Sequence, residues 1–227
     1  MEVHVLRADG LWLARLAVEV SSGRARPRGW EEVRRVVEEL IESEPCARDG
    51  NCCDVIVWLA KYPQTLEHVH VTLLLVDVPT FVMWQLTRHR HISWMVSSHR
   101  HSLVPPDPAI PDSDRIDSRL EEAIRFMWAH GYKFYKQLLS EGYPAELARL
   151  VLPPVDSRVV LASANLRAWL EMLCFRLNAN TQPETRRLVE KILSALDKRY
   201  PGLERCFDQV CSNLYKYRVK RRAAVRG

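Results

Sequence analysis

Apolar and polar positions follow two different periods along the chain. MEVHVL, at the start, alternates residue by residue, the rhythm of a strand with one buried face. WEEVRRVVEELIESE (residues 30–44) instead places apolar residues at helical spacing with acids early, which predicts an amphipathic helix. ARDGNCCD (47–54) reads as a turn-rich break. EHVHVTLLLVDV (67–78) begins alternating and becomes continuously apolar, the pattern of a buried strand. Pro79 then sits at a tolerated first-turn position of a helix predicted over PTFVMWQLTRHR (79–90). HISWMVSSH (91–99) is too rich in β-formers for a good helix and reads as a returning strand or extended loop.

The second half is more helical. SLVPPDPAIPDSD (102–114) is a surface loop, Pro-rich over residues 103–113. DSRLEEAIRFMWAHGYKFYKQLLSEG (117–142) predicts one long helix, or two broken near Gly131. PAELARLVL is a short helix stopped by Pro153 and Pro154, and DSRVVLASAN (156–165) a strand. LRAWLEMLCFRLN and PETRRLVEKILSALDKRY are helices separated by NANTQ, and the chain from Leu203 is helical before fraying into a basic tail, residues 216–227. No internal repeat or linker is visible. Strands and helices mix without βαβ regularity, so the fold class expected is α+β, a single domain over residues 1–227 with two small lobes conceivable.

Composition narrows the partners. The chain of 227 residues is 47% hydrophobic, enough for a full core. No apolar run approaches the roughly 20 residues that span a bilayer, and the N-terminus lacks a secretory pattern. A soluble cytoplasmic protein is the expectation. The formal net charge of +5 favours anionic partners. Arginine outnumbers lysine 26 to 7, and Asn plus Gln total ten, which fits a thermophilic source. Of six cysteines none forms a C-x-x-C pair, so a zinc ribbon or thioredoxin-type site is not expected. Cys206 and Cys211 could pair near a helix end; otherwise the thiols are expected to be buried and free.

The densest chemistry lies in RHRHISWMVSSHRHS (88–102). An arginine fork donates two parallel hydrogen bonds and stays charged at any working pH, which suits phosphate. Arg88, Arg90 and Arg100 lie close in sequence with Ser98 between them. If residues 91–100 are extended, Ser98 and Arg100 point to one side. A solvated Arg/His face accounts for the same residues. Downstream, Asn165 and Arg176 are eleven residues apart, about three helical turns, and so share a face. Arg149 ends the apolar stretch ELARLVLPP.

Taken in order, these residues resemble a family. Arg88-His89-Arg90 followed after seven residues by Ser98 is similar to the R-H-R-x7-S signature of flavin-dependent thymidylate synthases. Gln85 stands three before Arg88, Arg100 two after Ser98, and Glu67-His68 precedes the strand, as in that family. ARLVLP (148–153), NLR (165–167), FR (175–176), Gln182, Glu184 and Arg186 continue the likeness, which spans residues 62–188. The chain departs from the pattern at Met95 and Val96, where the family usually has Asn and Glu, and at His101, where it has Tyr. Tyr62 and Gln64 replace a His and a hydroxyl residue. Glu171 and Asn180 fall where Asn or His is common.

The resemblance implies a mixed or antiparallel sheet flanked by helices, assembled as a homotetramer whose sites use several chains. It implies methylation of dUMP to dTMP, with FAD as cofactor and NADPH and methylenetetrahydrofolate as co-substrates. By motif position Gln85, Arg88, Ser98, Arg100, Arg149 and Arg176 would hold dUMP, and Arg176 would act at the uracil ring. Gln64, Glu67, Arg88, His89, Arg90, Asn165 and Arg167 would contact FAD. On the resemblance Trp94 and its apolar neighbours form an interface; plain core packing is the alternative. Met95 and Val96 leave open a paralogue that kept the fold and lost the reaction. Two other classes compete. Six of eight histidines form H-x-H pairs (His68/His70, His89/His91, His99/His101), which on a strand suits a metal-dependent hydrolase, although carboxylates nearby are sparse. The basic tail would suit nucleic acid, although a solvated helix end explains it equally. Neither a metal nor a nucleic acid is the expected partner.

Overall fold

In the computed structural model, described for all residues except 26, 28, 45, 47–49, 101, 111–114 and 225–227, and for side chains as far as residue 216, four strands form one antiparallel sheet. β1 (Glu2–Ala8), β2 (His70–Pro79), β3 (Ser93–Val96) and β4 (Ser157–Asn165) lie in the order β1-β2-β4-β3. The alternation of β2 is expressed directly: Val71, Leu73 and Leu75 are buried, and their partners Ala164, Ala162 and Val160 on β4 face the same way. Helices cover this face: α1 (Trp12–Ser21), α2 (Trp30–Glu42), α3 (Cys53–Leu59), α4 (Thr80–Leu86), α7 (Leu166–Arg176), α8 (Pro183–Arg199) and α9 (Leu203–Ala224). Trp169 of α7 is fully buried at the centre of the main core, and its indole N–H donates to the Val71 carbonyl at 3.2 Å.

Among the described residues, no helix covers the opposite face of the sheet around Met95 and Leu161. Val159, Leu161 and Met95 are exposed there, Met95 by 72%, and Met95 pairs with Leu161. The stretch around Trp94 therefore divides: Trp94 turns inward, edge-on to Trp169, whereas Met95 lies on the open face. A second apolar cluster, Val104, Trp128, Tyr135 and Ala148, forms between α5 (Ser118–Ser140), the Pro-rich loop and α6 (Ala145–Ala148). Leu120, Met127 and Phe134, seven residues apart on α5, are all exposed.

Several sequence expectations change. α5 is continuous through Gly131, where a Cβ would come within 2.8 Å of the Val151 carbonyl; the glycine admits the chain crossing it and does not break the helix. Residues 12–21, not assigned from periodicity, are helical, and Cys53 opens α3 inside the segment expected to be a turn. The helix from Pro79 ends at Leu86, before Arg88. Only residues 93–96 of the expected strand are extended in a ladder; Ser98 and Arg100 follow in a turn. Residues 111–113 of the Pro-rich loop and the side chains of the basic tail beyond residue 216 lie outside the described residues. Among the described residues, no helix is long and apolar enough to cross a membrane.

The cysteines also differ from expectation. Cys46 bonds Cys52, Cys174 of α7 bonds Cys211 of α9, and Cys53 and Cys206 are buried free thiols. Cys206 and Cys211 do not pair, because five residues of one helix turn their side chains to different sides at a separation beyond disulfide reach. Cys174–Cys211 closes a span of 37 residues, for which chain-entropy reasoning gives about 2–4 kcal/mol. Thiol titration of the denatured, unreduced protein is expected to find two reactive thiols, rising to six after reduction; six before reduction would show that both bridges are absent.

Candidate functional site

The strongest local signal, Gln85 to His89, is carried on the end of α4 and the turn after it. It faces the C-terminal half of α7. Asn165 ends β4 and caps α7, its side-chain oxygen accepting from the Ala168 N–H at 2.9 Å, so the strand passes straight into the helix. This fixes the rotation of α7. Ala168, Glu171, Met172, Phe175 and Arg176 then fall on one stripe at i, i+3, i+4, i+7 and i+8. With Gln85, Arg88, His89, His91 and Ile92 they line a cavity of about 510 Å³, within the range of small-ligand sites.

Arg176, the last residue of α7, is held at two points. Its Nη2 donates to the Gln85 carbonyl at 2.6 Å and its Nε to His89 Nε2 at 2.8 Å. Three of its five N–H groups are thus left for other partners. His89 accepts through Nε2, so its own proton, when neutral, is on Nδ1. Burial, reinforced by Arg176, pushes the His89 pKa down to about 4, which keeps the ring neutral near pH 7. Burial and the nearby Arg88 lower the Arg176 pKa too, but not enough to remove a guanidinium's charge. Among the described residues, neither Arg88 nor Arg176 is in an ion pair. Across the cavity, Glu171 pairs with Arg167 at 3.1 Å, and Arg167 also bridges to Glu67. Ile92, Met172 and Phe175 supply the apolar wall, with Phe175 edge-on to the His89 ring.

The remaining candidates gather elsewhere. Arg100 pairs with Glu146 at 2.9 Å, Arg149 donates to the Glu146 carbonyl at 3.4 Å, and the Arg100 backbone N–H donates to Ser98 Oγ at 3.3 Å. Ser98, Arg100 and Arg149 do not line the Arg88–Arg176 cavity. β3 separates the two groups; four residue steps from Ser93 to Ser97 span about 13 Å. Arg90 is exposed beyond the cavity rim, and Gln64 and Tyr62 are exposed near the short 3₁₀ turn Pro63–His68. Val96 packs against the core, and His101 lies outside the described residues. Asn165 and Arg176 occupy opposite ends of α7, so their shared face does not bring them together. Among the described residues, no three His, Cys, Asp or Glu side chains are placed to hold a metal ion, so the hydrolase reading finds no ligand set there. Sequence reasoning missed Ile92 and Met172, and named His91 only in a metal pair and Phe175 only within the FR motif. The helical stripe beginning at Ala168 was the signal that would have found the α7 members.

The depressed pKa of His89 has a measurable consequence. In the unfolded chain the ring titrates near 6.5, in the fold near 4, so the unfolded state binds more protons between these values. This contribution therefore destabilises the fold progressively as pH falls from about 6.5 to about 4, and levels off below. The melting temperature should fall more steeply over that window in the native protein than in a His89→Asn variant; parallel curves would contradict the assignment.

The stretch that carries these residues is also the stretch that known proteins match. The family model described as thymidylate synthase complementing protein matches residues 17–202. The flavin-dependent thymidylate synthase of Sulfurisphaera tokodaii is 30% identical over 207 residues, covering 89% of this chain and 75% of that protein. That of Saccharolobus solfataricus is 29% identical over 199 residues, covering 86% and 71%. Among solved structures, the UMP/dUMP methylase PolB from Streptomyces cacaoi, bound with 5-Br dUMP, superposes with a TM-score of 0.68 at 20% identity, covering 92% of this chain and 94% of that one. The flavin-dependent thymidylate synthase ThyX from Helicobacter pylori, complexed with FAD and dUMP, gives 0.63 at 18% identity, covering 88% and 97%. The two structural likenesses bear on the fold, while the family match and the sequence relatives bear on descent: the chain belongs to the flavin-dependent thymidylate synthase family of enzymes.

Proposed function

We propose that the protein methylates dUMP to dTMP with FAD as cofactor, methylenetetrahydrofolate as the one-carbon donor and NADPH as reductant. The observation that carries this reading is the pair Arg88 and Arg176, turned into one cavity beside Gln85 and His89 with no carboxylate paired to either among the described residues. Such a site favours a ligand with negative charge, or one that acquires it during reaction.

The residues present fit a flavin in chemistry. Ile92, Met172 and Phe175 offer an apolar wall for a flat ring, while His89, His91 and the Arg167-held Glu171 offer polar edges. His89, Arg90, Asn165, Arg167 and Glu67 would hold the cofactor, which when bound supplies the redox chemistry of the methyl transfer. Arg176 acts on the uracil ring: its fixed guanidinium donates toward the carbonyl edge and stabilises negative charge as it builds there. Gln85 and neutral His89 set its orientation and take no proton from it. The phosphate falls to Arg88 and to the group Ser98, Arg100 and Arg149.

That second group stands at the far end of β3, so a single copy does not bring all five side chains to one cavity. We place the missing half on a neighbouring copy, in a homotetramer. The open sheet face with Leu161 and Met95, and the exposed row Leu120, Met127 and Phe134, are apolar surfaces that assembly would cover.

The purified protein should be yellow, bleach with NADPH and change its flavin absorption on adding dUMP. Arg176→Ala should lower methyl transfer by about 10²–10³-fold with the fold retained. A colourless protein that takes up no FAD, or unchanged turnover in Arg176→Ala, would overturn the reading; flavin and dUMP binding without turnover would indicate a paralogue that lost the reaction.

A further inference from the structure

Between Ser98 and Arg100 the chain carries His99, whose side chain does the opposite of its neighbours: both flanking residues are exposed, and His99 is 3% exposed. Its ring enters the body of the protein and meets Asp156, itself 6% exposed, at 3.2 Å between Nε2 and Oδ2. The same carboxylate oxygen takes Arg158 Nη2 at 2.6 Å. Arg158 is in turn committed twice more: Nε donates to Thr80 Oγ1 at 2.8 Å and Nη1 to the Ser97 carbonyl at 2.8 Å. Asp156 thus sits under the turn and reaches it by two routes, through His99 and through Arg158 to Ser97.

The turn has little freedom left. The Ser97 N–H donates to the Val159 carbonyl at 2.9 Å, and the Ser97 hydroxyl accepts from the Val159 N–H at 3.1 Å. The Ser98 carbonyl accepts from the Ser102 N–H at 3.2 Å and from the Ser102 hydroxyl at 3.0 Å. Among the described residues of the turn, Ser98 and Arg100 are exposed, the Arg100 guanidinium resting on the surface carboxylate of Glu146. A buried carboxylate is costly unless paired, and breaking such a pair from one side leaves an uncompensated charge. An apolar residue at position 99 would leave Asp156 with Arg158 as its remaining charged contact. The Asp156–Arg158 pair, aimed at the Ser97 carbonyl, and the His99 ring against Asp156 together fix where the turn can sit.

We infer that Asp156 and His99 are positioning residues for nucleotide binding, holding the Ser97–Ser102 turn so that Ser98 and Arg100 meet the ligand's phosphate. They touch no reacting atom and act only through the turn. The inference rests on the reading of Ser98 and Arg100 as phosphate contacts.

Titrations of the flavin-loaded protein with dUMP and with deoxyuridine, which lacks the phosphate, separate the cases. His99→Leu keeps the volume and removes the imidazole nitrogen that lies 3.2 Å from Asp156; His99→Gln keeps a polar side chain there; Asp156→Asn removes the carboxylate. His99→Leu and Asp156→Asn should raise the KM for dUMP roughly tenfold or more, leave the kcat at saturation little changed, and leave deoxyuridine binding as it was, while His99→Gln recovers most of the dUMP affinity. Equal losses for both ligands, or a lower melting temperature with the dUMP KM unchanged, would leave only a structural role and overturn the inference. Ser98→Ala and Arg100→Ala serve as references. If they weaken dUMP binding and His99→Leu does not, the positioning role alone is wrong. If neither reference variant weakens binding, the phosphate assignment is wrong and the positioning role falls with it.

Discussion

Two guanidinium groups facing one cavity repel each other, and the fold spends several bonds to keep them there. Arg176 is tied to the Gln85 carbonyl and to a histidine that burial keeps neutral. Arg88 stands close enough to depress the Arg176 pKa. The disulfide from Cys174 to Cys211 anchors α7 two residues before Arg176. These restraints hold both positive groups toward the cavity in fixed positions, the arrangement that favours negative charge. Much of the main core serves the same end. Trp169 and Leu173 bury α7 against the sheet, Asn165 fixes its rotation, and the charged stripe is left facing Gln85 and Arg88.

The cationic residues form two stations, one at each end of β3. At the first the restraints are a helix terminus and a neutral histidine; at the second they are a buried Asp156 shared by His99 and Arg158. In both, a group without exposed charge at neutral pH holds the backbone or side chain that presents an exposed arginine. This is how positive charge can be concentrated with few compensating acids in the ligand's place, the Arg167-held Glu171 in the cavity lining and Glu146 beside Arg100 being the partial exceptions. That pair is surface-exposed, and such pairs contribute little, about 0–1 kcal/mol, so a phosphate could displace it.

Local chemistry was the legible part of the sequence. The period of β2, the helix opened after Pro79 and the helical character of α7 follow from side-chain spacing, and the resemblance placed Gln85, Arg88, His89 and Arg176 by position; the cavity-facing stripe of α7 was not read. What spacing does not carry is the pairing of distant segments. Cys174 meets Cys211 because α7 packs on α9, not because of any interval between them. Asp156 meets His99 because β4 begins beside the end of β3. The separation of Ser98, Arg100 and Arg149 from the Arg88 cavity is likewise a tertiary fact, since the motif compresses into a few residues what the strand holds apart. α1 was missed because its apolar residues, LWLARLAVEV, are nearly continuous and give no clear period.

The account stands or falls on whether the two stations belong to one site shared between copies. Arg88→Ala and Arg100→Ala proteins, each inactive alone, can be unfolded together and reassembled in equal amounts. Random assembly would give roughly a quarter of the sites both arginines, one from each copy, and methyl transfer should return to about that fraction of the native rate. A mixture that assembles fully yet stays as inactive as its parents would place both stations in one chain, or would show that one of them takes no part.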